Sequence, residues 1–86
     1  MVSYQVLIGN SAKKELQRLS KNVRSRVIEV LEGLDQKPRP NGAVKLRGKS
    51  GLWRVRIGDY RVIYAIDDDQ RMVDVSAICH RSDAYR

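Results

Sequence analysis

The sequence predicts an α+β fold: an N-terminal strand, an antiparallel helix pair, then a three- to four-stranded, mostly antiparallel sheet with both helices on one face. Three observations predict it. Between residues 11 and 35, apolar side chains recur at intervals of three and four, the helix period. Residues 52–64 and 72–79 alternate apolar with polar side chains, the strand period. Between these regimes lies Lys37-Pro-Arg-Pro-Asn-Gly42, a breaker cluster too short for a linker. The 86 residues therefore make one domain, 1–86.

In chain order, residues 2–8 read as the first strand, with Tyr4, Val6 and Ile8 on one side. Asn10 or Ser11 caps a helix that runs over about 11–19, with Ala12, Leu16 and Leu19 as its stripe. Ser20 or Asn22 starts a second helix that continues to about residue 35, its apolar positions being Val23, Val27, Val30, Leu31 and Leu34. So short a connection between two helices implies an antiparallel pair. Lys13, Lys14, Arg18, Lys21, Arg24 and Arg26 lie mostly off these stripes and read as wet helix surface. Val44 to Gly48 forms a short edge strand or an extended arm.

Next comes the stretch with the clearest pattern, Trp53 to Tyr64. It alternates on both sides of Gly58-Asp59, a pair suited to a tight hairpin turn. A two-residue loop sets Ile57 opposite Tyr60, Arg56 opposite Arg61, Val55 opposite Val62 and Trp53 opposite Tyr64. The apolar face belongs under the helices. Arg54, Arg56 and Arg61 occupy the other face, open to solvent or a ligand. Like charges directly opposed across strands are destabilising, so three arginines there imply an anion. Asp67-Asp-Asp-Gln70 is a solvated connection. A last strand from Met72 to Cys79 puts Val73, Val75 and Ala77 on one side. Its continuation puts His80 on the arginine side and Arg81 on the other.

Charge points to a class of partner. The net charge is +7, and residues 37–64, with eight Lys/Arg against one Asp, account for all of that excess. Basic charge focused in this way favours a nucleic acid or an acidic peptide. Cys79, the one cysteine, cannot form an intrachain disulfide and reads as a small strand hydrophobe in a reducing compartment. No apolar run approaches ~18 residues and no signal-peptide pattern opens the chain, so the expected location is the cytoplasm, with no membrane partner.

Most catalytic constellations are missing. One His and one Cys do not make a typical zinc site. No Gly-rich phosphate loop precedes a helix. Asp67, Asp68 and Asp69 sit together in a turn rather than on facing strands, and Ser50, Ser76 and Ser82 have only His80 as a possible base. The reading calls for no cofactor and no metal. What remains is a basic and aromatic group: Lys45, Arg47, Arg54, Arg56, Arg61, His80, Arg81 and Tyr85. Such a set suits RNA, which carries its own nucleophile in the 2′-hydroxyl. Cleavage then needs in-line positioning, charge stabilisation at phosphorus and proton transfer. Arginines are permanently charged and bidentate toward phosphate, but they are poor bases. Tyr85 and His80 are the proton carriers in the group, and Lys45, Arg47 and His80 read as RNA contacts.

These residues resemble the RelE toxins of bacterial toxin–antitoxin pairs, within the wider RelE/ParE group. The resemblance covers nearly the whole chain. It rests on Ser11-Ala-Lys-Lys-Glu-Leu16, Lys45-Leu-Arg-Gly48, Trp53-Arg-Val-Arg-Ile57, Asp59-Tyr-Arg-Val-Ile-Tyr64, His80-Arg81 and Tyr85-Arg86. It implies a metal-independent, ribosome-dependent mRNA endonuclease that acts in the A site, leaves a 2′,3′-cyclic phosphate and a 5′-hydroxyl, and is silenced by a cognate antitoxin. It also implies catalytic roles for Arg54, Arg56, Arg61, Arg81 and Tyr85. Arg61 would hold the phosphate, Arg81 would assist the leaving oxygen, and Tyr85 would orient or deprotonate the 2′-hydroxyl. In the family the strand bases are often lysines, and the arginines here shift the base role toward Tyr85. Two alternatives stay open: a ParE-like poison of DNA gyrase without nuclease activity, and an RNA- or rRNA-binding module without chemistry.

Overall fold

The structure is a computed structural model that describes residues 3–48 and 51–80. The elements in chain order are β1 (Gln5–Ile8), α1 (Asn10–Arg18), α2 (Lys21–Gly33), β2 (Val44–Lys45), β3 (Leu52–Ile57), β4 (Tyr60–Asp67) and β5 (Met72–His80). They build the expected α+β fold. The strands form one five-stranded sheet in the order β1-β5-β4-β3-β2. β3, β4 and β5 form an antiparallel meander, β2 adds an antiparallel edge, and β1 joins the far edge parallel to β5. The sheet is therefore mixed and wider than expected. β1 enters it because the two helices supply the long crossover that a parallel pair requires.

Packing follows the apolar periods. Ala12, Leu19, Val27, Leu31 and Leu34 from the helical half meet Val55, Val62, Tyr64, Val73, Val75 and Ile78 from the sheet, and all of them are buried. α1 packs on β5. Neither Asn10 nor Ser11 caps α1. The N-cap position is Gly9, without a side-chain cap bond, and Asn10 is already helical. The chain is pinned there by the Gly9 N–H donating to the Val75 carbonyl at 2.9 Å. A Cβ on Gly9 would lie only 3.3 Å from that oxygen, so a bare backbone suits the crossing from β1 into α1. Ser20 holds the N-cap position of α2, again without a side-chain bond.

The β3–β4 hairpin has the register that its alternation dictates: Trp53 opposite Tyr64, Val55 opposite Val62, Arg56 opposite Arg61 and Ile57 opposite Tyr60. Gly58 has φ +59°, and Asp59 does not share the positive φ. Positive φ at the first turn residue alone suits a type II′ hairpin, whose twist matches that of its strands.

β5 departs from the expected alternation. Ile63 pairs with Ala77 but Tyr64 pairs with Val75, so Ser76 is an extra residue in a β-bulge. The Ser76 hydroxyl donates to the Ile63 carbonyl at 3.2 Å. A one-residue insertion swaps the faces of everything beyond it. Hence Ile78, not Ala77, continues the buried row of Val73 and Val75.

A polar clasp ties the α2–β2 loop to the sheet. Arg39 donates two hydrogen bonds to Asp68, at 3.2 and 2.8 Å, and its guanidinium lies 4.9 Å from the Trp53 ring centre. Tyr4 donates its hydroxyl to the same carboxylate at 2.6 Å. The buried Tyr64 hydroxyl donates to the Pro38 carbonyl at 2.8 Å. Bonds from Arg39 and Tyr4 hold the Asp68 carboxyl below the ordinary carboxylate value. The bond to that anion raises the Tyr4 phenol, and burial raises Tyr64. The aspartate run is thus more than a solvated connection, since its central member is a structural anion.

Candidate functional site

Leu52, Arg54 and Arg56 alternate with the core residues of β3, so they face away from the helices. Arg61, Ile63 and Ala65 do the same on β4, and Ala77 and Cys79 on β5. Arg56 is directly opposite Arg61, and Arg61 is directly opposite Cys79. The face brings Arg54, Arg56 and Arg61 together as the alternation requires, but at three depths. Arg56 is exposed, Arg54 is half-buried, and Arg61 is only 4% exposed.

Arg61 is the unusual member. Its Nη1 donates to the Tyr60 carbonyl at 3.2 Å, while its buried Nε has no hydrogen-bond partner. No carboxylate pairs with it among the described residues, where the ion pairs are Arg18–Glu15 and Arg39–Asp68. A buried charge is costly unless paired, and an unmatched donor adds a desolvation cost of ~1–3 kcal/mol. The like charge of Arg56 opposite adds to that cost. An anion docked on this face would offset both terms, and a phosphate oxygen matches the guanidinium donors in geometry and charge.

The bulge at Ser76 corrects the placement of His80. His80 does not lie on the arginine side. It pairs with Tyr60 on the helix side, where the two rings meet edge to face at 5.3 Å. The same parity change puts Cys79 on the arginine face, which sequence reasoning missed. A signal was present, because the apolar residues Val73, Val75 and Ile78 break the two-residue period after Val75. Lys45 is exposed and opposite Trp53, hence on the side away from Arg54, and Arg47 is exposed in the turn after β2. Arg81 and Tyr85 lie outside the described residues.

Among the described residues, no group of three or more His, Cys, Asp or Glu is placed to hold a metal ion, and no helix is long and apolar enough to cross a membrane.

The cationic face thus lies opposite the helices of this α+β domain. Residues 6–85 match the family described as the ParE toxin of the type II toxin-antitoxin system, parDE, and the chain belongs to that family, within the RelE/ParE group. It is 38% identical to the Toxin RelE of Mycobacterium tuberculosis over 84 residues, covering 96% of this chain and 87% of that protein. It is 32% identical to Toxin RelG of the same organism, covering 96% of this chain and 97% of that protein. In structure it resembles the toxin of the archaeal RelE-RelB complex from Pyrococcus horikoshii OT3, with a TM-score of 0.82, 32% identity, and coverage of 94% and 98% of the two chains. The isolated E. coli RelE toxin superposes with a TM-score of 0.77 at 27% identity, over 95% and 90% of the two chains.

Proposed function

We infer that this toxin is an mRNA interferase that cleaves message on the ribosome. The observation that carries the reading is the buried Arg61 guanidinium, without a carboxylate partner among the described residues and opposed by Arg56. The similarity to Toxin RelE and to RelE structures supports the same reading. In the proposed reaction the 2′-oxygen of one nucleotide attacks its own 3′-phosphorus. The bond to the 5′-oxygen of the next nucleotide breaks. The products are a 2′,3′-cyclic phosphate and a 5′-hydroxyl, and one proton moves from the 2′-oxygen to the leaving oxygen.

Arg61 grips a non-bridging phosphate oxygen, while Arg54 and Arg56 neutralise the charge that builds on phosphorus. None of the three takes a proton, because a guanidinium stays protonated at working pH. Tyr85 is assigned to orient or deprotonate the 2′-hydroxyl, and Arg81 to support the leaving oxygen. Lys45 and Arg47 contact RNA outside the reacting group, and His80, on the other face, contributes by holding Tyr60 at the end of β4. Several similar structures are of RelE with a RelB antitoxin. By analogy a cognate antitoxin neutralises this chain by presenting acidic residues over the arginine face.

Expression of the chain alone is expected to arrest growth and to produce breaks within codons, read by primer extension on cellular message. Arg61→Ala is expected to remove both effects while remaining folded; a folded variant that still cuts refutes the assignment. The ParE name of the matched family favours one second reading, a gyrase poison. Gyrase-trapped DNA breaks with intact message would establish that reading instead.

A further inference from the structure

The basic surface extends beyond the arginine face. Arg26 on α2 and Arg56 on β3 line one groove of about 440 Å³ beside the hairpin turn, together with Glu29, Val30, Ile57 and Gly58. The Arg26 guanidinium reaches over the turn. A Cβ on Gly58 would lie 3.6 Å from its Nη1 and 3.8 Å from its Nη2. Arg26 and Arg56 are both exposed, and neither forms an ion pair among the described residues. Glu29 lines the same groove and is exposed, without an ion pair to Arg26.

We propose that this groove is a second phosphate-binding subsite for RNA, in which Arg26 holds the backbone phosphate next to the reacting linkage, with Arg56 set between the two phosphates, and so leads the strand from the arginine face around the β3–β4 turn. The inference rests on the reading of the arginine face as an RNA site. Arg56 joins the two, because it faces Arg61 across the hairpin and also lines the groove. The groove has room for a phosphodiester, and its two cations approach from different elements without an ion pair among the described residues. Glu29 opposes the anion and limits its affinity. An acidic peptide would find the same two cations, but Arg56 faces Arg61 across the hairpin and shares the groove with Arg26, and this succession of cations matches a backbone whose charges repeat. Arg26 is a binding residue here and takes no part in bond cleavage.

The test is binding of single-stranded RNA oligonucleotides of unrelated sequence, measured over a salt series with the full-length chain. Loss of one phosphate contact lowers the slope of log K against log salt by roughly 0.7 for single strands. Arg26→Ala should therefore weaken binding at low salt equally for all sequences, and the deficit should shrink about 2.6-fold between about 50 and 200 mM salt. Glu29→Gln should tighten binding, which guards against a merely misfolded Arg26 variant. If Arg26→Ala leaves slope and affinity unaltered while the parent chain binds and cuts RNA, the subsite is refuted and the nuclease reading stands. A changed slope with intact message supports the subsite and refutes the nuclease. An unaltered RNA slope with weakened binding of an acidic antitoxin peptide assigns the groove to protein and overturns the proposal.

Discussion

Arg61→Met separates a side chain kept for a ligand from one kept for the fold. Methionine preserves much of the unbranched stem and removes the guanidinium. The parent residue is 4% exposed, its Nε is unmatched, and its described hydrogen bond is one at 3.2 Å to the neighbouring Tyr60 carbonyl. Releasing a buried, unmatched polar group recovers ~1–3 kcal/mol, and losing the Tyr60 bond costs ~0.5–1.5 kcal/mol. Relief of the facing Arg56 charge adds a few tenths of a kcal/mol, on the scale of about 0.2–1 for cross-strand pairs. The net expectation is a gain of about 1 kcal/mol, or a rise in Tm of roughly 4–8 °C for a domain of this size. Urea denaturation and thermal unfolding measure it. Added phosphate should stabilise the parent chain more than the variant, which keeps the Arg26–Arg56 groove but loses the Arg61 guanidinium, since a native-state ligand shifts the transition. Cleavage should be lost in the variant. A loss of more than about 1 kcal/mol on Arg61→Met would make Arg61 a strut of the sheet and remove the reason for placing an anion there.

Further outcomes follow from the core and the clasp. Leu34→Ala, at a position with no exposure, should cost about 2–5 kcal/mol in denaturant titration, enough to unfold much of so small a chain. Tyr64→Phe strands the Pro38 carbonyl and should cost ~0.5–1.5 kcal/mol, with no effect on RNA binding. The Asp68 carboxyl titrates below its unfolded value, so its contribution to stability is complete above that value and fades as pH falls through the folded one. Stability measured by urea unfolding should therefore drop on acidification below the ordinary carboxylate range, and Asp68→Asn should flatten that part of the profile.

How much of this was legible depends on which interactions are local. The β3–β4 hairpin could be read residue by residue, since Gly58-Asp59 fixes the turn and the alternation fixes the register. The helices were equally clear in Val27, Leu31 and Leu34. β1 was recognisable as a strand, but its parallel place beside β5 is set by the path of the helices rather than by its four residues. Alternation alone puts His80 on the wrong face, because one extra residue at Ser76 inverts the parity of the strand end. Alternation assigns Arg61 to a face but carries no information about depth, so its burial is visible only in the structure. Arg39 and Asp68 are 29 residues apart and meet only once the loop folds back over Trp53, a contact for which composition gives no sign.

The central claim is that the guanidinium of Arg61 grips the linkage being cut. Its most direct test is the chemistry of message ends after ribosomes with a defined A-site codon are incubated with purified parent chain or with folded Arg61→Met. The account predicts 2′,3′-cyclic phosphate and 5′-hydroxyl ends within that codon for the parent and intact message for the variant. Equal cutting by both, or intact message with both, contradicts it.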